Sequence, residues 1–184
     1  MPLAPPAQQC GACLRQPPPL DAVYAAVPYA YPWSDLITAF KFREATGWAG
    51  QFASLLRHLP WLEPTLEAAD WVVPMPLSAQ RLQERGFNQS LLLARALASG
   101  KTRSDLLLRV LDTPAQSSLP RSARMHSVRH AFAVEPLLRQ QLAAKRVLLV
   151  DDVMTTGASL HACAQVLRQA GASHVAAVVL ARTE

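Results

Sequence analysis

Residues 146–160, RVLLVDDVMTTGASL, carry four structural instructions in succession. Val147 to Val150 is an unbroken run of β-branched and aliphatic side chains, the pattern of a strand buried on both faces. Asp151 and Asp152 follow at once, where a parallel strand would leave its sheet. Thr155, Thr156, Gly157, Ala158 and Ser159 make a small, hydroxyl-rich turn. From Leu160 the pattern predicts a helix to about Ala170, stopped by Gly171.

That order of parts suits a sugar phosphate. A helix N-terminus presents backbone N–H groups and the positive end of its dipole. Gly157 lets the backbone come close to an anion, and Thr155, Thr156 and Ser159 add hydroxyl donors. Two adjacent carboxylates repel each other and are costly to desolvate unless something compensates. Ribose hydroxyls, or a cation held by them, would do so. The competing interpretation is an ordinary strand-to-helix turn with a solvated acidic pair, and the TTGAS continuation weighs against it.

The rest of the composition narrows the class. With 184 residues the chain can bury one sizeable core and carry a small appendage. A hydrophobic content of 51% with 17% charged residues fits a globular protein. No apolar run approaches the roughly 18 residues of a membrane span, and no charged segment followed by an apolar one marks a secretory signal. The expected location is therefore cytoplasmic. Three cysteines do not make a disulfide framework. The net charge of +5, mostly from an arginine surplus, favours phosphates, pyrophosphate or nucleic acid as ligands.

Outward from the central stretch, other segments can be placed. Residues 1–20 are Pro-rich and hold Cys10-Gly-Ala-Cys13. One such pair is half of a four-ligand zinc site, and Cys163, on the helix after the turn, completes it poorly, so zinc is not expected to bind. Val23–Tyr31 suggests a strand ended by Pro32. Helices are expected up to Lys41, capped by Ser34 or Asp35, and over Gly47–Leu59. Lys41 and Arg43 read either as phosphate or base contacts or as a solvated helix flank. Trp71–Val73 is a short strand closed by Pro74-Met75-Pro76. After it, Arg85 presents a phosphate-shaped fork, Gly86 permits a left-handed turn, and Asn88, followed by Gln89, can cap a helix over Ser90–Ala98. Asp105–Leu111 reads as a third strand and Val175–Leu180 as a last one. Between them, residues 112–130 are polar and basic. The expected fold is α/β: an open, mainly parallel sheet with helices on both faces.

Several of these stretches resemble one family. VLLVDDVMTTGAS is similar to the phosphoribosyl pyrophosphate (PRPP) motif of type I phosphoribosyltransferases. CGACLRQPPP, VPMPLSAQRLQERGFNQSLLLARAL and GASHVAAVVLART extend the likeness to the ComF/GntX branch over most of the chain. The resemblance implies PRPP as ligand, with Asp151 and Asp152 on the ribose hydroxyls and Thr155–Ser159 around the 5′-phosphate. It also implies Mg²⁺ accompanying PRPP, with no direct side-chain ligand. Pro74, Met75, Arg85, Gly86, Asn88 and Gln89 would approach the pyrophosphate, and Arg85 would join the acids as a catalytic group. A loop carrying Arg121 and Arg124 would close over the ligand. Residues 1–20 would be the remnant of a zinc ribbon, because the cysteine pair common upstream in ComF-like proteins is missing. Residues 21–184 would form the phosphoribosyltransferase-like domain, with 21–69 as its smaller hood.

Two further consequences stay at the level of expectation. The 6-oxopurine phosphoribosyltransferases usually place a third acid at the register of Thr155, so efficient hypoxanthine or guanine transfer is not expected. ComF-like proteins are associated with DNA uptake in natural competence, so single-stranded DNA and the competence machinery are candidate partners. Three activities stay open: pentosyl transfer or nucleotide salvage, nucleic-acid handling, and PRPP binding as a regulatory signal.

Overall fold

A computed structural model describes residues 17–42, 47–111 and 130–183, together with Arg15. Cys10, Cys13, Arg43, Arg121 and Arg124 lie outside the described residues, as does nearly all of the basic loop.

The apolar run of the central stretch forms strand β5 (Arg146–Met154) in a four-stranded sheet of order β1-β6-β5-β2. The other strands are β1 (Ala22–Pro28), β2 (Trp71–Pro74) and β6 (His174–Arg182). All three pairings are parallel. Alternation along β5 divides the interior. Val147 and Leu149 face one core with α6 (Ala158–Gln169), while Leu148 and Val150 face another. That second core is roofed by α1 (Trp33–Phe42), α2 (Trp48–Arg57), α3 (Leu62–Ala68) and α5 (Gln89–Ala98). These four β5 side chains are at most 1% exposed; each contributes about 1.5–3 kcal/mol by leaving water. A strand apolar on both faces needs helices on both faces, and the expected layering is observed.

Among the departures from the sequence reading, three concern the sheet and its cover. β5 does not stop at Val150 but continues through both acids to Met154. Its ladder with β6 persists there, with Asp151 opposite Val179 and Val153 opposite Ala181. On its other side the last partner is Pro74, opposite Val150. One further bond, from the Met75 N–H to Val150 O, ends the pairing with β2. The acids thus lie within the β5–β6 ladder but beyond the end of the β5–β2 pairing. Second, the expected third strand is only β3 (Leu107–Arg109), which leaves the main sheet to pair antiparallel with β4 (Phe132–Val134). Third, α3 forms although Pro64 lies in it, because a proline in the first turn removes an N–H that has no partner within the helix.

Helix ends follow local chemistry. Ser78 caps α4 (Ala79–Arg85) by accepting the Arg81 N–H, and Gly86 ends it at φ 75°. Asn88 caps α5 by accepting the Leu91 N–H at 3.2 Å. Gly171, at φ 105°, ends α6. The C-terminal end of α3 is capped from a distance: Lys101 Nζ donates to the carbonyls of Leu66, Glu67 and Ala69 at 2.8–2.9 Å. Among the described residues no helix is long and apolar enough to cross a membrane.

Candidate functional site

The end of β5, the start of α5 and the end of α1 meet around the two acids. Asp151 is half-buried and Asp152 is 4% exposed. Asp151 Oδ1 accepts from Ser90 Oγ at 3.0 Å and from the Asp152 N–H at 2.9 Å. Asp152 Oδ1 accepts the Val153 N–H at 2.6 Å, and its Oδ2 lies 3.1 Å from Lys41 Nζ. That last contact is an ion pair without hydrogen-bond alignment, which leaves Oδ2 buried with no properly directed donor among the described residues. Burial, and then the charge of Asp152, push the Asp151 carboxyl up to about 7 from its ordinary 3.8. Lys41, the Asp152 N–H and Ser90 pull in the opposite direction.

Ser90 reaches Asp151 because the start of α5 is fixed on both sides. The Asn88 side chain uses its oxygen for the cap and donates through Nδ2 to Met75 O at 3.0 Å. That bond ties the helix to the chain leaving β2, where Met75 N also donates to Val150 O at 2.9 Å. Ser90 is 1% exposed and Gln89 3% exposed, and Gln89 Oε1 is buried without a partner among the described residues. Arg85 is half-buried near the end of α4. Burial lowers its guanidinium from the ordinary value, opposed first by the charge of Asp152 and then by Glu84 and Asp151, which places Arg85 in the field of the acids.

The turn after β5 is shaped by Gly157. It stands at φ 77°, a left-handed conformation that other residues adopt at a cost. A Cβ there would lie 2.5 Å from the Met154 methyl and 3.4 Å from His161 Nε2. Thr156 Oγ1 accepts the Ala158 N–H at 3.3 Å, so this hydroxyl supports the start of α6. Thr155 is exposed, Ser159 half-buried, and Gly157 and Ala158 are buried. The turn therefore offers a helix N-terminus a few residues beyond the acids.

The structure thus ties Asp151 to the start of α5 through Ser90 and that start to Met75 through Asn88, with Gln89 next in the chain and Arg85 in the field of the acids; the 155–159 turn follows β5 directly. The sequence reading missed two members. Ser90 looked like the first residue of a helix, and its position two after the cap was the available signal. Lys41, which the sequence offers as a phosphate or base contact or as a solvated flank, is the partner of Asp152. Among the described residues no group of three or more His, Cys, Asp or Glu could hold a metal ion. The acid pair alone is too few ligands to cage a cation, but its oxygen chemistry accommodates one that arrives with a phosphorylated ligand. A separate cavity of about 380 Å³, lined by Tyr24, Trp61, Arg146 and His174 among others, opens at the opposite ends of these strands and plays no part in this arrangement.

Comparison with known proteins agrees with this geometry. Residues 91–184 match the phosphoribosyl transferase domain family. The chain is 33% identical over 189 residues to the DNA utilization protein YhgH of Salmonella typhimurium, covering 100% of this chain and 82% of that protein. It is 31% identical over 183 residues to competence protein F of Haemophilus influenzae, covering 96% and 79%. Over 113 residues it is 34% identical to competence protein ComFC of Bacillus subtilis, covering 61% and 44%. With its parallel sheet, its acid pair at the end of β5 and relatives of this extent, the chain belongs to the ComF family of phosphoribosyl transferase domain proteins.

Proposed function

We propose that this chain binds PRPP beyond the carboxyl end of β5 and serves DNA utilization of the competence type, the role for which its relatives are named. The observation that carries the binding proposal is the carboxylate pair set beyond the last β2 partner of β5, directly before a glycine turn and helix N-terminus. Asp151 and Asp152 accept the ribose hydroxyls. The turn of Thr155–Ser159 receives the 5′-phosphate through backbone N–H groups and hydroxyls. Ser90 fixes the orientation of Asp151 so that its second oxygen is the one left for the ligand. Arg85, already in the field of the acids, supplies positive charge on the side where a diphosphate would lie. Mg²⁺ bound with the ligand would neutralise diphosphate charge and favour its departure.

In the transfer reading, the C1–O bond to pyrophosphate breaks as an acceptor nitrogen bonds to C1, and the acids favour the cationic transition state. Thr155 cannot take a purine proton near neutral pH, because a threonine hydroxyl is far too weak an acid. Hypoxanthine and guanine are therefore poor acceptors.

The test is calorimetric titration of the purified protein with PRPP and Mg²⁺, followed by pyrophosphate-release assays against a panel of bases. Saturable binding that is lost when both acids become Asn is expected, since each charge-assisted bond is worth about 1.5–3 kcal/mol. Equal binding by parent and double variant would remove the acids from the site. Binding without release against any base would support the regulatory reading. In parallel, a salt titration with a single-stranded oligonucleotide reads direct DNA contact. Log affinity should fall by about 0.7 per phosphate engaged for each tenfold rise in salt.

A further inference from the structure

Lys41 is the charged group at the site that the proposed chemistry does not use. It is the penultimate residue of α1, a helix held by Ile37 and Phe40, both fully buried. Phe40 packs edge-on against Phe52 at 5.4 Å and tilts against Phe87 at 6.3 Å, which couples α1 to the segment just before the α5 cap. A packed helix therefore delivers the Lys41 stem to the acids. Its side chain is 18% exposed and that of Asp152 is 6%. Asp152 Oδ1 is taken by the Val153 N–H, so its one remaining oxygen is the atom facing the ammonium. As the site stands, the outer oxygen of Asp152 faces Lys41, and it becomes available to a ligand when Lys41 leaves it. Arg85 also opposes the charge of Asp152, so the acid keeps a cation nearby after that exchange.

We propose that Lys41 is a specificity-determining counter-ion, exchanged from Asp152 to the ligand, that selects sugar phosphates carrying a second anionic group next to the ribose hydroxyls. The proposal rests on the PRPP reading above and deepens it. A diphosphate on C1 is one carbon from the 2-hydroxyl, within a few bond lengths of the carboxylate that hydroxyl engages. A lysine stem released from Asp152 has only to swing locally to meet it. A ribose with hydroxyls and a 5-phosphate but no second anion displaces the ammonium and gives it no partner. The cost of an unpaired, largely buried charge then falls on that ligand. Discrimination comes from this penalty as much as from attraction to the diphosphate.

The experiment compares parent, Lys41→Met and Lys41→Arg by calorimetric titration with PRPP and with ribose 5-phosphate, each with Mg²⁺. Methionine keeps the length of the stem and removes the charge. Thermal unfolding of each variant shows that it is folded. In the parent, PRPP should bind more tightly than ribose 5-phosphate. In Lys41→Met that preference should shrink about tenfold or more, with PRPP weakened and ribose 5-phosphate unchanged or strengthened. Lys41→Arg should restore most of the preference. If Lys41→Met weakens both ligands equally, or Lys41→Arg behaves like Lys41→Met, the residue merely supports Asp152 and the selectivity role is overturned. An unchanged preference in folded Lys41→Met overturns it also, while leaving PRPP binding established. A parent that binds neither sugar phosphate overturns the ligand reading and this proposal together.

Discussion

Replacing Asp151 by Asn should make the fold more stable while abolishing ligand binding, and the gain should depend on pH. The Asp151 carboxyl is raised from 3.8 to about 7, by burial first and the neighbouring Asp152 charge second. For an acid whose folded value is raised, the stability it allows is greatest at low pH and is lost progressively between the two values. Holding the group at about 7 rather than 3.8 costs the folded protein on the order of 4 kcal/mol once it is fully ionised, near pH 8. Asparagine keeps an oxygen to accept from Ser90 Oγ and the Asp152 N–H. Its amide N–H₂, however, must find acceptors in a half-buried place, which takes back about 1–3 kcal/mol. A net gain of about 1–3 kcal/mol is expected at pH 8, equivalent to roughly 3–8 °C in melting temperature for a chain of this size. At pH 5 the folded aspartate is protonated while the unfolded one is largely ionised, so the cost shrinks to about 1.5 kcal/mol, the amide penalty offsets it, and the gain should vanish or reverse slightly. The assay is thermal unfolding of parent and Asp151→Asn at both pH values, alongside PRPP titration at pH 8. Equal melting temperatures at pH 8, or a variant destabilised more at pH 8 than at pH 5, would refute the argument.

Other substitutions test the surroundings of the site. Gly157→Ala should destabilise by about 1–2 kcal/mol from its left-handed backbone, with little added by the Met154 methyl, which is the free end of a flexible chain; denaturant titration measures the loss, and PRPP affinity should fall with it. Lys101→Met should cost about 1–3 kcal/mol by leaving three carbonyls at the C-terminal end of α3 without their donor, and PRPP affinity of the folded protein should be unchanged. Ser90→Ala removes a bond that holds Asp151 low, so PRPP affinity, which requires the ionised carboxylate, should reach its plateau at higher pH than in the parent.

How much of this was legible beforehand depended on the range of the interactions involved. The β5 run, the Asn88 cap, the Gly86 turn and the end of α6 at Gly171 follow from local rules, so reading neighbours along the chain was enough. The continuation of β5 through Asp151 and Asp152 was not legible, because adjacent acids normally mark exposed chain. Here β6 supplies a ladder on one side, and Lys41 and Ser90 supply partners from distant helices. The departure of β3 from the main sheet depends on β4, which lies across the basic segment. α3 was hidden by Pro64 and by its brevity, and its C-terminal support comes from Lys101, outside the helix. In each case the missing information was the identity of a partner far along the chain.

The strand order also dictates a sequence of events during synthesis. The sheet runs β1-β6-β5-β2, so its two outer strands leave the ribosome before its two inner ones. β1 must wait roughly 150 residues for β6 to pair with it. Until then the apolar faces of α1, α2 and α5, with Phe40, Phe52, Leu56 and Leu93, have no sheet to cover. A nascent chain of this kind carries exposed hydrophobic helices through most of its translation. Such an intermediate is a natural client for holding chaperones. Slower elongation before β5 would lengthen that exposure.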